Sequence, residues 1–142
     1  MSHYVLICGS RNQPDPHTRN AVHDVLQFLH WFYDLGLRVL HGDAPGIDRT
    51  AHQWCIDHGV TVRAYPADWG RGRRAGPERN QRMANNLLAW SQQGHSVEVI
   101  AFAGGRGTSH MTSYAEQLGL DVTHIELEPP QQPAFEQPTL GV

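Results

Sequence analysis

Val97-Glu98-Val99-Ile100-Ala101-Phe102, running without a break into Ala103-Gly104-Gly105-Arg106-Gly107-Thr108-Ser109, decides how the chain is read. The β-branched apolar run predicts a buried strand, the glycines a turn, and the pattern from residue 108 onward a helix. Strand, glycine turn and helix in that order bring main-chain N–H groups and the positive end of a helix dipole to one point. An anion, phosphate above all, suits such a point, and glycines let the backbone come close to it. The turn therefore predicts a chain that handles a phosphorylated small molecule.

Outward from this turn the same alternation recurs. His3 to Cys8 predicts a first strand, ended by Gly9-Ser10-Arg11, and residues 17–35 a helix with Val22, Val25, Leu26, Leu29 and Phe32 at core spacing. Leu37 to His41 is a second strand, and Ile47 to His58 a helix stopped by Gly59. Val60 to Tyr65 is a third strand, residues 66–75 a loop, and Gly76-Pro77 opens a helix to about Trp90, proline being tolerated at a first helical position. Val97 to Phe102, a helix over 108–118 and a strand from Val122 to Leu127 complete the series. Alternation of this kind predicts an α/β fold, a Rossmann-like doubly wound parallel sheet with helices on both faces. Right-handed crossovers favour the strand order 3-2-1-4-5, with a switch point between the first and fourth strands. The loops meeting there are Gly9-Ser10-Arg11 and Gly104-Gly105-Arg106-Gly107-Thr108. Residues 1–128 are read as one domain, and the Pro- and Gln-rich stretch 129–142 as a flexible tail.

Composition narrows the chemistry. At 142 residues the chain can bury a core without metal or disulfide staples. No apolar run reaches the roughly 20 residues of a membrane span, and no secretion signal is visible, so a cytoplasmic protein is expected. Cys8 and Cys55 lack paired spacing and are expected to be buried, inert thiols. The ten histidines show no metal-ligand spacing, and neither metal nor cofactor is expected. All eleven basic residues are arginine, which excludes Schiff-base chemistry and a P-loop lysine. Arg71, Arg73, Arg74, Arg79 and Arg82 cluster in one segment, to be read as a solvated basic loop or as an anion site. The net charge of −3 speaks against a nucleic-acid coat protein. Phe28, Trp31 and Leu35 form a second apolar stripe on the first helix, and self-association into a homo-oligomer is expected from it.

Four segments carry a resemblance: Gly9-Ser10-Arg11, His41-Gly42-Asp43-Ala44-Pro45-Gly46-Ile47-Asp48, Ala67-Asp68-Trp69 with Gly76-Pro77-Glu78-Arg79-Asn80, and Gly104 through Met111. As an ordered set spanning residues 3–127 they resemble the YspA-like branch of the SLOG superfamily. That superfamily groups Rossmann-like nucleotide-binding proteins, including the Lonely Guy phosphoribohydrolases and the DNA-processing protein DprA. The resemblance implies a nucleotide or nucleotide-derived ligand. Arg79 matches the arginine with which Lonely Guy enzymes act, whereas their glutamate, three residues past the threonine of the turn, is Met111 here. Glycosidic cleavage needs a carboxylate beside an oxocarbenium-like state, and a thioether does not replace it.

The candidate ligand-binding set is thus Gly9, Ser10, Arg11, His41, Gly42, Asp43, Gly46, Asp48, Arg79, Asn80, Gly104, Gly105, Arg106, Gly107 and Thr108. Arg79, Asp43 and Asp48 are the catalytic candidates if the protein is an enzyme. Each aspartate also reads as a turn, cap or dipole residue, and as an acceptor for ribose hydroxyls. Trp69 reads equally as a base-stacking ring and as packing over the sheet end. Three functions follow in order: binding of a nucleotide as sensor or ligand-handling domain, hydrolysis of a nucleoside 5′-monophosphate, and handling of single-stranded DNA. Neither a membrane nor a nucleic acid is the expected partner under the first.

Overall fold

The structure, a computed structural model, describes residues 1–127; the expected tail over 129–142 lies outside them. Five strands, β1 (His3–Cys8), β2 (Leu37–His41), β3 (Thr61–Ala64), β4 (Ser96–Phe102) and β5 (Val122–Ile125), alternate with four helices, α1 (Pro16–Tyr33), α2 (Ile47–His58), α3 (Ala75–Gln92) and α4 (Arg106–Gln117). The strands form one parallel sheet in the order β3-β2-β1-β4-β5. This is the Rossmann-like order that the alternation predicts, with the switch between β1 and β4.

The strand period of two sorts β1 between two cores. Val5 and Ile7 face α1 and α2 in a cluster with Val22, Leu26, Leu29, Ala51 and Trp54. Leu6 and Cys8 face the other way, toward Met83, Leu87, Met111 and Ala115 of α3 and α4. A strand buried on both faces reads as continuous apolar sequence, as β1 does.

Local chemistry sets the helix ends. Asp15 caps α1, its Oδ1 accepting from the Thr18 N–H at 2.7 Å, with Pro16 at the first helical position. The first helix stops at Tyr33 rather than at residue 35, because Asp34 turns left-handed (φ 52°) and a 3-10 turn over Asp34–Gly36 delivers the chain into β2. The loop expected over 66–75 contains a 3-10 segment, Trp69–Arg74, kinked at Gly72.

Phe32 departs from its expected core position: it is 61% exposed. Tyr33, one residue on, takes the inner place and stacks on His3 with ring centroids 3.7 Å apart. Phe28, Trp31 and Leu35 are exposed too, so the second stripe on α1 lies on the surface of the chain.

Candidate functional site

Ser10 is where the loops of the sheet's carboxyl edge are tied together. Its N–H donates to the Ala103 carbonyl at 2.9 Å, its carbonyl accepts from the Ile47 N–H at 3.0 Å, and its hydroxyl accepts from the Asn12 N–H at 3.0 Å. The turn after β4 and the start of α2 are thereby fixed to the turn after β1. Between these loops and the start of α3 opens a cleft of about 270 Å³.

One wall is the start of α4. Gly105 is its N-cap without a side-chain cap, and Gly105, Arg106, Gly107 and Thr108 all line the cleft. Nothing lies within 4 Å of where a Cβ would project from Gly105 or Gly107, so that surface is open. The first N–H groups of an uncapped helix start have no helical partner and favour an anion.

Arg79 and Asn80 of α3 supply the second wall. Arg79 is 7% exposed; its Nη1 donates to the carbonyls of Gly42 and Tyr65, and its Nε donates to Asn80 Oδ1 at 2.9 Å. Burial lowers its pKa, with the neighbouring Asp48 carboxylate opposing that shift. Asn80 Nδ2 reaches the Gly107 carbonyl and His110 Nδ1, each at 3.2 Å, which joins α3 to the glycine turn. Arg11 lines the cleft from the opposite side, its guanidinium 5.8 Å from the ring of the exposed Trp69.

The floor holds a buried acid. Asp48, in the first turn of α2, is 5% exposed, and its Oδ2 accepts from the N–H groups of Gly42 and Ala44 at 3.1 Å each. Its Oδ1 has no hydrogen-bond partner among the described residues. Burial pushes the carboxyl up to about 6, against the pull of those two N–H groups, Arg79 and Arg11. Cys8, also in the cleft, is held as a thiol by burial and by the charge of Asp48.

Of the residues expected from sequence, Gly9, Ser10, Arg11, Gly42, Asp48, Arg79, Asn80, Gly105, Arg106, Gly107 and Thr108 come together here. His41, Asp43, Gly46 and Gly104 do not line the cleft, each for a packing reason. His41 is fully buried behind it, accepting from the Asp43 N–H at 2.9 Å and bonded to His52 at 2.8 Å. Asp43 faces Arg49, 3.9 Å away. Gly46, at φ +85°, lies where a Cβ would come within 2.3 Å of the Ser10 carbonyl oxygen, and one on Gly104 would come within 2.2 Å of Thr108 Oγ1. At both glycines the missing side chain is what lets the loops meet.

Arg71 and Arg74 stand outside the cleft and pair with Glu78 on the surface, at 3.1 and 4.0 Å. Asn12, Met83 and Met111 line it without having been expected as ligand-binding residues. Met83 carried a readable signal, since it falls one helical turn after Arg79 on the same face of α3. Among the described residues no group of three or more His, Cys, Asp or Glu is placed to hold a metal ion. No helix among them is long and apolar enough to cross a membrane.

Residues 3–72 match the family described as YspA, cpYpsA-related SLOG. Over 133 residues the chain is 34% identical to the Gene 61 protein of Mycobacterium phage D29, covering 88% of this chain and 98% of that protein. The chain belongs to the YspA, cpYpsA-related SLOG family. Among solved structures it is similar to DNA processing protein A (DprA) from Streptococcus pneumoniae, with a TM-score of 0.70 and 20% identity over 89% of this chain and 51% of that one. This SLOG chain therefore spans about half the length of DprA. It is also similar to TM1055, with a TM-score of 0.64 and 19% identity over 86% of this chain and 72% of that one. At these identities the two structures show a shared fold.

Proposed function

We propose that the protein binds a nucleotide or nucleotide-derived ligand in the cleft at the β1/β4 switch point, as a sensor or ligand-handling domain. Membership of the SLOG family supports a nucleotide-related function in general terms. The observation that carries the finer reading is the meeting, in one cleft, of the open helix start Gly105–Thr108 with the guanidinium groups of Arg79, Arg11 and Arg106. The ligand phosphate rests on the N–H groups of that turn, and fixed cationic forks offset its charge. Calorimetry against nucleoside mono-, di- and triphosphates tests the reading: at least one binds, and more weakly once Arg106 is replaced by alanine. Absence of binding across the panel refutes it.

A second reading, release of the base from a nucleoside 5′-monophosphate, has one observation in its favour. Asp48 places a buried carboxyl with a raised pKa in the cleft, as an acid or base for glycosidic cleavage needs. The alternative candidate Asp43 faces away. Chromatography decides it, since free base accumulates only if the bond is cut. Self-association through Phe28, Trp31 and Leu35, joined by Phe32, completes the proposal, and sedimentation velocity at rising concentration tests it.

A further inference from the structure

The Asp48 carboxyl occupies a costly position. It lies in the cleft, 95% of it removed from solvent, with two main-chain donors on one oxygen and none on the other. A buried acceptor left without a donor is destabilising, and a charged one more so. Fixed protein groups do not relieve it: Arg79, the nearest cation on α3, spends its Nη1 and Nε on the Gly42 and Tyr65 carbonyls and on Asn80. Asp48, which carries the buried unpartnered oxygen, and the open start of α4 line the same cleft, and they ask for opposite things, one a hydrogen-bond donor and the other an anion.

From this pairing we infer that Asp48 is the specificity residue of the cleft: its Oδ1 accepts a hydrogen bond from a hydroxyl of the ligand whose phosphate rests on Gly105–Thr108. The ligand class is then a phosphate ester that carries free hydroxyl groups, as a ribonucleotide does, rather than a bare phosphate or a deoxygenated sugar phosphate. This rests on the phosphate site proposed above and adds the second point of attachment. Met83 and Met111 line the same cleft, and their flexible thioether chains let it adjust as a hydroxyl seats against the carboxyl. A hydroxyl donating to Oδ1 favours the ionised carboxylate, so binding releases a proton wherever free Asp48 is partly protonated. The other groups facing Asp48 keep their state over that range: Arg79 on α3 and Arg11 in the β1–α1 loop stay cationic, and the Cys8 thiol at the end of β1 stays protonated.

The test compares, by calorimetry, the unmodified protein's affinity for the 5′-mono-, di- and triphosphates of each of the four common ribonucleosides with that for their 2′,3′-dideoxy counterparts. The ribonucleotide that binds best is expected to do so at least tenfold more tightly than its dideoxy form, a fold-change ordinary for a hydrogen bond to a buried charge. Equal affinities overturn the inference and leave the phosphate site standing; no binding of either kind overturns both. Asp48→Asn supplies a separate readout. Relative to this variant, the unmodified protein is expected to lose affinity for the ribonucleotide as the pH falls from 7 to 5. The phosphate's own titration is common to both proteins and cancels in the ratio. A ratio independent of pH also overturns the inference.

Discussion

Gly105 and Gly104 are neighbours with opposite reasons to be glycine. Gly105 caps α4 at a negative φ of −95°, with empty space where a side chain would project. Gly105→Asp is therefore expected to fold normally, with a melting temperature unchanged or slightly raised, since an aspartate N-cap exceeds glycine by a few tenths of a kcal/mol. The same carboxylate would occupy the anion position and abolish the nucleotide-dependent thermal shift; a retained shift would move the phosphate elsewhere. Gly104→Ala, by contrast, drives a methyl into Thr108 and the Gly9 backbone and should cost about 1–3 kcal/mol in urea unfolding. Gly46→Ala should cost at least as much, because its left-handed backbone adds strain to contact with the Ser10 main chain. A glycine beside a predicted ligand turn looks alike in sequence whether it makes room for a ligand or for another loop. Gly46 and Gly104 share that look, because contacts between loops distant in the chain leave no local pattern.

The elements themselves were far more legible. Every strand and helix of the sheet was readable from period and punctuation, and the strand order followed from crossover handedness, because those rules act locally or on topology alone. Boundaries slipped where tertiary contact chose between equivalents. On α1 both Phe32 and Tyr33 continue the helical spacing from Leu29, and the position of His3, buried at the start of the central strand β1, selects Tyr33. In the monomer Phe32→Ser should accordingly change stability by less than about 0.5 kcal/mol, whereas Leu29→Ala, in the core, should cost about 2–5 kcal/mol. Chemical denaturation of the two variants checks the contrast. The cleft was half legible in the same sense: the switch point named the loops that border it and helical spacing from Arg79 pointed to Met83, while Asn12 entered through side-chain geometry that spacing does not rank.

For the whole molecule, two buried groups set opposing pH responses. Asp48, raised to about 6 from 3.8, contributes stability that is complete below about pH 4 and is lost as the pH rises through 6. His41, lowered to about 4 from 6.5 first by burial and then by His52, contributes stability that is complete above about pH 6.5 and is lost as the pH falls through 4. Between about pH 4 and 6 the two slopes offset each other. Asp48→Asn removes one of them, so the variant should gain on the parent by up to about 1.4 kcal/mol per pH unit across that window. Urea unfolding at four or five pH values measures the difference, and a difference flat with pH would contradict the assignment. The Ser10 main chain joins the first loop to both of its neighbours. A mouth already braced in this way needs no closing step. Association should then be a single exponential whose rate rises linearly with nucleotide concentration, and the amide hydrogens of Ser10 and Ile47 should exchange as slowly as those of the strands, although both lie outside them.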